Sequence, residues 1–183
     1  GEAKDEAKAA EWYRKAAESG HVRAMTYLAA RLVKGQGVAQ DEAQGAEWYR
    51  RAAETGNVSA MSSLGVMLAD GEGVPKDAAR AFEWLLYAAQ NGNVKAMLQL
   101  GLMLAKGEGV VTRDEPGGVE WLLGAAQRGS AEAMFALGEL TEAGRGVTKN
   151  KGEAREWYRR AASAGGDAKV QHEAQEALAR LGQ

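Results

Sequence analysis

Apolar residues recur four positions apart in short segments of the chain, and glycine separates one segment from the next. Ala60, Leu64 and Leu68 form one such series, and similar series follow an Ala-Met pair elsewhere. Residues spaced in this way lie on one face of an α-helix. These segments alternate with others built around a tryptophan and an Ala-Ala pair. The pattern therefore predicts two kinds of helix that alternate along the chain.

The two kinds of helix together make a repeat of about 36 residues. Successive tryptophans are 36 or 37 positions apart, at Trp12, Trp48, Trp84, Trp121 and Trp157. An Asp or Asn lies seven positions before each tryptophan, and a glycine lies eight positions after it. Four units also contain Ala-Met, then Leu-Gly or Leu-Ala, then Gly-x-Gly-Val. Recurrence at such a period indicates a repeat architecture made of antiparallel helix pairs.

The recurring polar residues and glycines predict where the helices begin and end. Asp and Asn accept backbone N–H bonds at a helix start, which predicts N-caps at Asp5, Asp41, Asp77, Asp114 and Asn150. Glu153 is expected to complete a capping box with Asn150. The glycine after each tryptophan segment is predicted to be left-handed, and Gly-x-Gly-Val to form a longer turn. The predicted helices span residues 5–18, 22–34, 41–54, 58–70, 77–91, 94–106, 115–127, 131–143, 150–164 and 167–181.

Glycine also stands in the middle of three Ala-Met helices, at Gly65, Gly101 and Gly138. In a helix interior glycine costs about 1 kcal/mol relative to alanine. Its recurrence at one position predicts that a neighbouring helix approaches closely there, and the Ala-Ala pairs are the expected contact. The tryptophans and methionines, which recur at the repeat spacing, are expected to belong to the core.

Composition agrees with an all-α fold. Alanine and glycine are abundant, isoleucine is absent, and the 183 residues include only two prolines. A β-rich fold would contain more valine, isoleucine and threonine. We expect a single solenoid domain over residues 1–183. Its parts are a half repeat at 1–20, repeats at 21–56, 57–92, 93–129 and 130–165, and a C-terminal capping helix at 166–183.

These motifs resemble the Sel-1-like repeat family, which is related to the tetratricopeptide repeat. Its pattern, A-M-x-x-L-G…G-x-G-V-x-x-D-x-x-x-A-x-x-W-x-x-x-A-A-x-x-G, stands almost complete in residues 60–92 and 96–129. A tetratricopeptide repeat would have a period of about 34 residues and no Gly-x-Gly-Val turn. The resemblance implies a right-handed α/α superhelical solenoid. It also implies an adaptor, since family members scaffold assemblies in quality control, signalling, envelope assembly and host interaction, and some are immunity proteins.

The chain departs from the family pattern in three places. It begins inside a tryptophan helix without the preceding Ala-Met helix, which we interpret as a missing N-terminal half repeat. Residues 111–116 carry a one-residue insertion. The last helix has Val170, Gln171, Ala174 and Leu178 at the core positions and is otherwise polar, as is typical of a solubilising end cap.

A search for catalytic, cofactor and metal sites gives none. The Gly-x-Gly-Val turns lack the third glycine of a dinucleotide fingerprint and the Gly-Lys-Ser/Thr of a Walker loop. His21 and His172 are far apart in the sequence and have no ligand-like spacing. A glutamate precedes every tryptophan (Glu11, Glu47, Glu83, Glu120 and Glu156) and is interpreted as a solvated or locally paired helix position. We therefore expect no cofactor and no enzymatic activity.

Charge and hydropathy narrow the possible partners. A formal net charge of −2 and a pI near 5.8 disfavour binding to nucleic acid or to an anionic membrane. No apolar stretch is long enough to cross a bilayer, so membrane insertion is not expected. The chain has no cysteine, which suits the cytosol and the periplasm equally. The compartment stays open, with the bacterial periplasm or export slightly preferred over the cytoplasm.

A binding surface is expected where the first helix of each pair lines the concave face of the solenoid. By analogy with tetratricopeptide repeats, the concave positions lie two before and two after the leucine of the Leu-Gly pair. They are Thr26, Ala30, Ser62, Val66, Leu98, Leu102, Phe135 and Glu139. This row becomes apolar in the middle and later repeats, with charged residues around it. A hydrophobic strip with a polar rim is what a protein or peptide partner needs.

A second irregularity lies on the tryptophan helices. The positions two and three after tryptophan are basic in the outer repeats, at Arg14-Lys15, Arg50-Arg51 and Arg159-Arg160. They become Leu86-Tyr87 and Leu123-Gly124 in the middle repeats. One interpretation is a contact between repeats that is peculiar to the middle of the chain. The other is a partner site at Leu86, Tyr87 and Leu123.

The functional hypothesis is a non-enzymatic bacterial adaptor or scaffold that binds another protein or peptide in the concave groove. One alternative is an immunity-type inhibitor of a secreted bacterial effector. A further alternative, a protein that binds or hydrolyses cell-wall fragments, is disfavoured because no nucleophile and base can be identified. The chain is expected to be a monomer or a weak homo-oligomer.

Overall fold

The computed structural model describes residues 2–107 and 112–182, and for residues 2–4 it describes the backbone only. This part of the chain contains ten α-helices and no strand, which confirms the all-α prediction. The helices are α1 (Glu2–Glu18), α2 (Val22–Lys34), α3 (Glu42–Glu54), α4 (Val58–Asp70), α5 (Ala78–Gln90), α6 (Val94–Lys106), α7 (Glu115–Gln127), α8 (Ala131–Ala143), α9 (Lys151–Ser163) and α10 (Ala168–Leu181). Among the described helices none has the length and apolar character to span a membrane.

The helices pack into two compact units. The first ends at Asn93 and holds α1 to α5, and the second begins at Val94 and holds α6 to α10. Within each unit, every helix packs on the next one along the chain. In the second unit α8 also contacts both α6 and α10. Because consecutive helices make most of the contacts, the local sequence signals determine much of the packing.

The predicted N-caps are confirmed at four of the five tryptophan helices. A side-chain oxygen accepts the backbone N–H three residues later at Asp41, Asp77, Asp114 and Asn150, over 2.9 to 3.1 Å. Asp5 is an exception, because α1 begins at Glu2 and Asp5 lies inside the helix. An oxygen at a helix start satisfies an N–H that has no partner within the helix, which contributes about 1 kcal/mol.

The same four cap residues also bind the preceding helix through their backbone. Their N–H groups donate 2.9 to 3.0 Å hydrogen bonds to carbonyls near the end of that helix, at Leu32, Leu68, Leu104 and Thr141. The predicted capping box at Asn150 is therefore confirmed for the Asn150 side chain, which accepts the Glu153 N–H, and wrong for the Glu153 side chain. The Asn150 N–H, which Glu153 was expected to accept, is bonded to the Thr141 carbonyl instead.

The Gly-x-Gly-Val segments are confirmed as turns in which both glycines have positive φ. The second glycine also packs against the start of the preceding tryptophan helix: a Cβ built on Gly146 would lie 2.6 Å from the carbonyl carbon of Glu115. Gly37 and Gly73 meet the backbone of Glu6 and Glu42 in the same way. The third copy extends into residues 108–110, outside the described residues.

The glycine eight positions after tryptophan has a φ of 84° to 93° in the first four repeats, as predicted. The last repeat differs, because Gly166, with a φ of 134°, takes the positive-φ position in place of Gly165. There α9 ends at Ser163, and the residue that caps it, Ala164, has an extended backbone.

The mid-helix glycines mark close helix crossings, as predicted, but the predicted contact with the Ala-Ala pairs is wrong. A Cβ built on Gly101 would lie 2.7 Å from Cγ of Leu122 and 2.9 Å from the carbonyl oxygen of Gly118. Gly65 meets Leu85 at 2.7 Å. Each contact is made by the residue directly after the tryptophan, because the two helices cross near the middle of the tryptophan helix.

Between α2 and α3 the glycine of the crossing lies on the tryptophan helix and not on the Ala-Met helix. Ala29 of α2 stands where the other helices have glycine, and Gly45 of α3 lies opposite, so that a Cβ on Gly45 would be 3.1 Å from the Ala29 carbonyl oxygen. Between α6 and α7 both partners are glycine, since Gly118 faces the Gly101 carbonyl. A small residue on one helix thus compensates for a larger one on the other.

The tryptophans are less buried than the repeat pattern predicts. Trp48 has only 8% of its surface exposed, whereas Trp84, Trp121 and Trp157 are half-buried. Trp12 is 71% exposed, so its assignment to the core is wrong. In the first unit, Trp12 lies on α1, which packs on α2, whereas Trp48 lies on α3, which packs on both α2 and α4. The methionines follow the prediction better, since four of the six are buried.

Ser62 of α4 is a buried residue and not a surface position. It is 2% exposed, and among the described residues its hydroxyl has no hydrogen-bond partner. At the equivalent position in α2, the Thr26 hydroxyl donates to the Val22 carbonyl at 2.9 Å. A buried hydroxyl without a partner destabilises the folded state, because it has lost its hydrogen bonds to water.

The close crossing at Gly101 predicts opposite effects for one substitution at two helical glycines of the second unit. Gly101→Ala should lower the free energy of unfolding by about 1–3 kcal/mol, because Leu122 and the Gly118 backbone leave no space for a methyl group. Gly124→Ala should raise it by up to about 1 kcal/mol, because its Cβ would meet only Met97 Sδ at 3.6 Å. Urea denaturation measures both, and a stable Gly101→Ala variant would contradict the crossing.

The unpartnered Ser62 hydroxyl gives a second stability prediction. Ser62→Ala should raise the free energy of unfolding by about 1 kcal/mol, since alanine has no polar group to desolvate. Thr26→Val should not raise it, because the threonine hydroxyl has a partner that would be lost. Thermal and chemical denaturation of both variants tests this, and a destabilised Ser62→Ala variant would show that the hydroxyl is satisfied in solution.

Candidate functional site

The concave positions predicted in the second unit lie on two helices that contact each other. Leu98 and Leu102 are one turn apart on α6, and Phe135 and Glu139 are one turn apart on α8. Residues four apart on a helix share a face. Leu98, Leu102 and Phe135 are half-buried, and Glu139 is exposed. We call Leu98, Leu102 and Phe135 the apolar strip.

Phe135 is engaged within the chain. Its ring lies 5.5 Å from the ring of Tyr158, centre to centre, at an interplanar angle of 50°. Leu178 and Leu181 of α10 pack against the same cluster. Part of the Phe135 ring is therefore used to attach α9 and α10.

The predicted positions in the first unit give a smaller surface. Thr26, Ala30 and Val66 are half-buried, and Ser62 is withdrawn from the surface altogether. All four side chains are smaller than their counterparts in the second unit. The first unit therefore offers little apolar area at the concave positions.

A small polar cavity of about 290 Å³ lies next to Glu139, lined by Glu139, Glu142, Ala143, Tyr158 and Arg180. Arg180 of α10 donates two hydrogen bonds to the Glu142 carboxylate, at 2.6 and 2.8 Å, and the Tyr158 hydroxyl donates a third at 3.0 Å. Hydrogen bonding to Arg180 lowers the pKa of Glu142. Burial, with the nearby charges of Glu173 and Glu142, raises the pKa of Glu139.

Two carboxyl groups whose pKa values move apart can form an acid–base pair. Here Glu142 of α8 is bound to Arg180 of α10 and to Tyr158 of α9, and these bonds attach both helices to α8, so a structural role explains it. The histidines are engaged elsewhere: His21 Nδ1 is 3.2 Å from the Ala16 carbonyl oxygen, and His172 is 3.3 Å from Glu176. In the described residues no group of three or more acidic or histidine side chains could hold a metal ion.

Sequence reasoning missed a groove in the first unit. A cavity of about 670 Å³ lies between α3 and α5, with Leu64 and Leu68 of α4 among its lining residues. Its charged residues have both signs, and several are paired: Arg50 binds Glu47 and Glu54, and Arg80 lies 3.5 Å from Asp77. The groove depends on the spacing of two tryptophan helices, which no single repeat encodes.

The irregular positions on the tryptophan helices lie partly at the surface. Tyr87 is 51% exposed and lines a second cavity of about 410 Å³, together with Trp84. Leu86 and Leu123 are half-buried. The open side chain of Tyr87 is the feature that distinguishes this part of α5 from the equivalent part of α3, where Arg51 stands.

Comparison with known proteins agrees with the helix-pair architecture. Solved structures with the same fold include a Sel1 repeat protein from Oxalobacter formigenes, which is 34% identical with a TM-score of 0.83, over 98% of this chain and 73% of that one. A protective antigen of uropathogenic Escherichia coli is 31% identical with a TM-score of 0.79. That match covers 94% of this chain, which spans 41% of the antigen.

An immunity protein from Pseudomonas aeruginosa shares the fold at 23% identity and a TM-score of 0.58, over 94% of this chain and 73% of that one. No curated protein sequence matches the chain closely enough to count as a relative. The family model described as the Sel1 repeat matches residues 1–21, 22–57, 58–93, 94–130 and 131–166. The chain therefore belongs to the Sel1 repeat family, whose repeats commonly mediate protein interactions.

Proposed function

We propose that this protein is a non-enzymatic adaptor that binds another protein through the apolar strip of the second unit. The observation that carries the proposal is the pair Leu98 and Leu102, two large apolar side chains that are only half-buried on one face of α6. A few side chains that become fully buried on binding contribute most of the affinity of an interface. Charged residues such as Lys95 and Glu139 flank the pair and supply a polar rim.

The pattern of substitution between repeats supports this proposal. Thr26 and Ala30 occupy the positions of α2 that correspond to Leu98 and Leu102 of α6. The repeat fold is thus compatible with small or polar residues at these positions. Leucine there exposes apolar surface to water, which is unfavourable unless a partner covers it.

An immunity-type inhibitor of a secreted effector is a finer version of the same function. It would use the same strip to cover a surface of the effector. The fold is compatible with such a role, since it is shared with an immunity protein. An effector as partner, identified in the experiment below, would select this version over a general scaffold.

Binding or hydrolysis of cell-wall fragments is the disfavoured alternative. Hydrolysis needs a base within hydrogen-bond reach of a nucleophile or a water. In the described residues Glu142, one of the two carboxyl groups next to the strip, is bonded to Arg180, and His21 and His172 are bound to a backbone carbonyl and to Glu176. A protein-binding role requires none of these groups.

The proposal predicts that a double variant, Leu98→Gln/Leu102→Gln, loses its partner. Phe135 is kept, because its ring packs on Tyr158 and its removal would disturb the fold. The matched control is Thr26→Gln/Ala30→Gln, which makes the same change at the equivalent positions of α2. Proteins recovered by the wild type and the control, but not by the double variant, define the partner, and circular dichroism checks that both variants are folded.

Titration with the purified partner then gives the dissociation constant of each variant, which decides the test. The double variant should bind at least about tenfold more weakly than the wild type, and the control should bind within about twofold of it. Equal affinity of the folded double variant and the wild type for every recovered protein would rule out the strip as the binding surface.

A further inference from the structure

The second cavity of the first unit has an unusual lining. Its described lining residues are Ala53, Glu54, Gly56, Met61, Glu83, Trp84 and Tyr87. We call this cavity the indole pocket. It combines two aromatic rings with two carboxylates, and none of these described residues is basic. Aromatic rings attract a cation through their negative faces, and carboxylates attract it through their charge.

Other tryptophans of the chain carry a cation from their own repeat. The Arg51 guanidinium lies 4.9 Å from the ring centre of Trp48, and that of Arg160 lies 5.0 Å from Trp157. The Lys15 ammonium lies 5.5 Å from the ring of Trp12. In each case the cation comes from the residue three positions after the tryptophan, which lies one helical turn further on.

Trp84 departs from this arrangement. The residue three positions after it is Tyr87, so α5 has no cation at the place where α1, α3 and α9 have one. The Trp84 ring is half-buried, and Tyr87 is 51% exposed at the side of the same pocket. The repeat therefore places a tryptophan ring at Trp84 but supplies no cation three positions later to cover it.

The two carboxylates differ in what they already bind. Glu54 accepts a hydrogen bond from Arg50, which also binds Glu47. Glu83 is exposed, and in the described part of the chain it makes no ion pair. A positive group in the pocket would therefore meet at least one carboxylate that forms no ion pair in the described residues.

We propose that the indole pocket binds a lysine or arginine side chain of a protein partner. The cationic group lies over the Trp84 ring, beside the Glu83 carboxylate and against the Tyr87 ring. It takes the place that Arg51 and Arg160 hold at the equivalent tryptophans. This site is in the first unit and is independent of the apolar strip in the second, so either can exist without the other.

Charge complementarity selects this occupant. The described lining of the pocket carries two negative charges, so an acidic side chain would be repelled. An uncharged apolar side chain could contact the rings but would gain nothing from Glu83. A basic side chain uses both features, since its methylene groups pack on the aromatic rings and its charge meets the carboxylate.

The test is an NMR titration of the ¹⁵N-labelled protein with three capped tripeptides, Gly-Lys-Gly, Gly-Arg-Gly and Gly-norleucine-Gly. The spectrum of Trp84→Phe identifies the indole N–H signal of Trp84 among those of the five tryptophans. The lysine and arginine peptides should shift this signal and bind at least about fivefold more tightly than the norleucine peptide. Equal affinity for all three peptides, or no shift of the Trp84 signal, would overturn the proposal.

Two variants with the same added charge make the test specific. Tyr87→Arg gives Trp84 the cation that other repeats have, and it should abolish binding of the lysine peptide. Gln90→Arg adds the charge at an exposed position of the same helix that does not line the pocket, and it should leave the affinity within about twofold. Unchanged binding by a folded Tyr87→Arg variant would contradict the proposal.

The remaining variants separate this site from the apolar strip. Glu83→Gln should weaken the lysine and arginine peptides several-fold and leave the norleucine peptide unchanged. Leu98→Gln/Leu102→Gln should bind the lysine peptide as the wild type does. If the apolar strip proves not to bind a partner, the proposal for the indole pocket still stands, and the converse also holds.

Discussion

The close crossing of the two helices in each pair is the constraint on which the rest of the structure depends. In the second unit α6 and α7 meet backbone to backbone, with Gly101 and Gly118 facing each other and Leu122 filling the space beside them. Such an approach brings the residue after the tryptophan into the core. It also fixes the rotation of each tryptophan helix about its own axis, and thus determines which of its side chains face outward.

This constraint separates positions that the fold needs from positions that can vary. The glycine of the crossing, the residue after the tryptophan and the cap that ties one helix to the next are all held by contacts. Apart from the buried Ser62, the positions two before and two after the leucine, and those two and three after the tryptophan, face outward or lie at the edge. Leu98, Leu102 and Tyr87 all belong to this second group, and they differ from their counterparts in other repeats. We therefore propose that binding depends on the outward side chains that differ from one repeat to another.

Much of the fold could be predicted from the sequence because its signals are local. An aspartate at a helix start and a glycine at a turn act within three or four residues, so the ends of most helices agree with the prediction to within one residue. The partner of Gly101 could not be predicted in this way, because it depends on where two helices cross. The burial of Ser62 and the exposure of Trp12 likewise depend on which neighbours pack nearby. The groove between α3 and α5 arises from two repeats together, so the pattern of one repeat does not predict it, and the irregular residue Tyr87 lines the indole pocket instead.

The most direct test of the account is hydrogen–deuterium exchange of the protein alone and bound to its purified partner. Binding through the apolar strip predicts slower exchange in α6, residues 94–106, and little change in the equivalent helix α2, residues 22–34. Slower exchange confined to helices other than α6 and α8 would contradict the central claim that the partner covers Leu98 and Leu102.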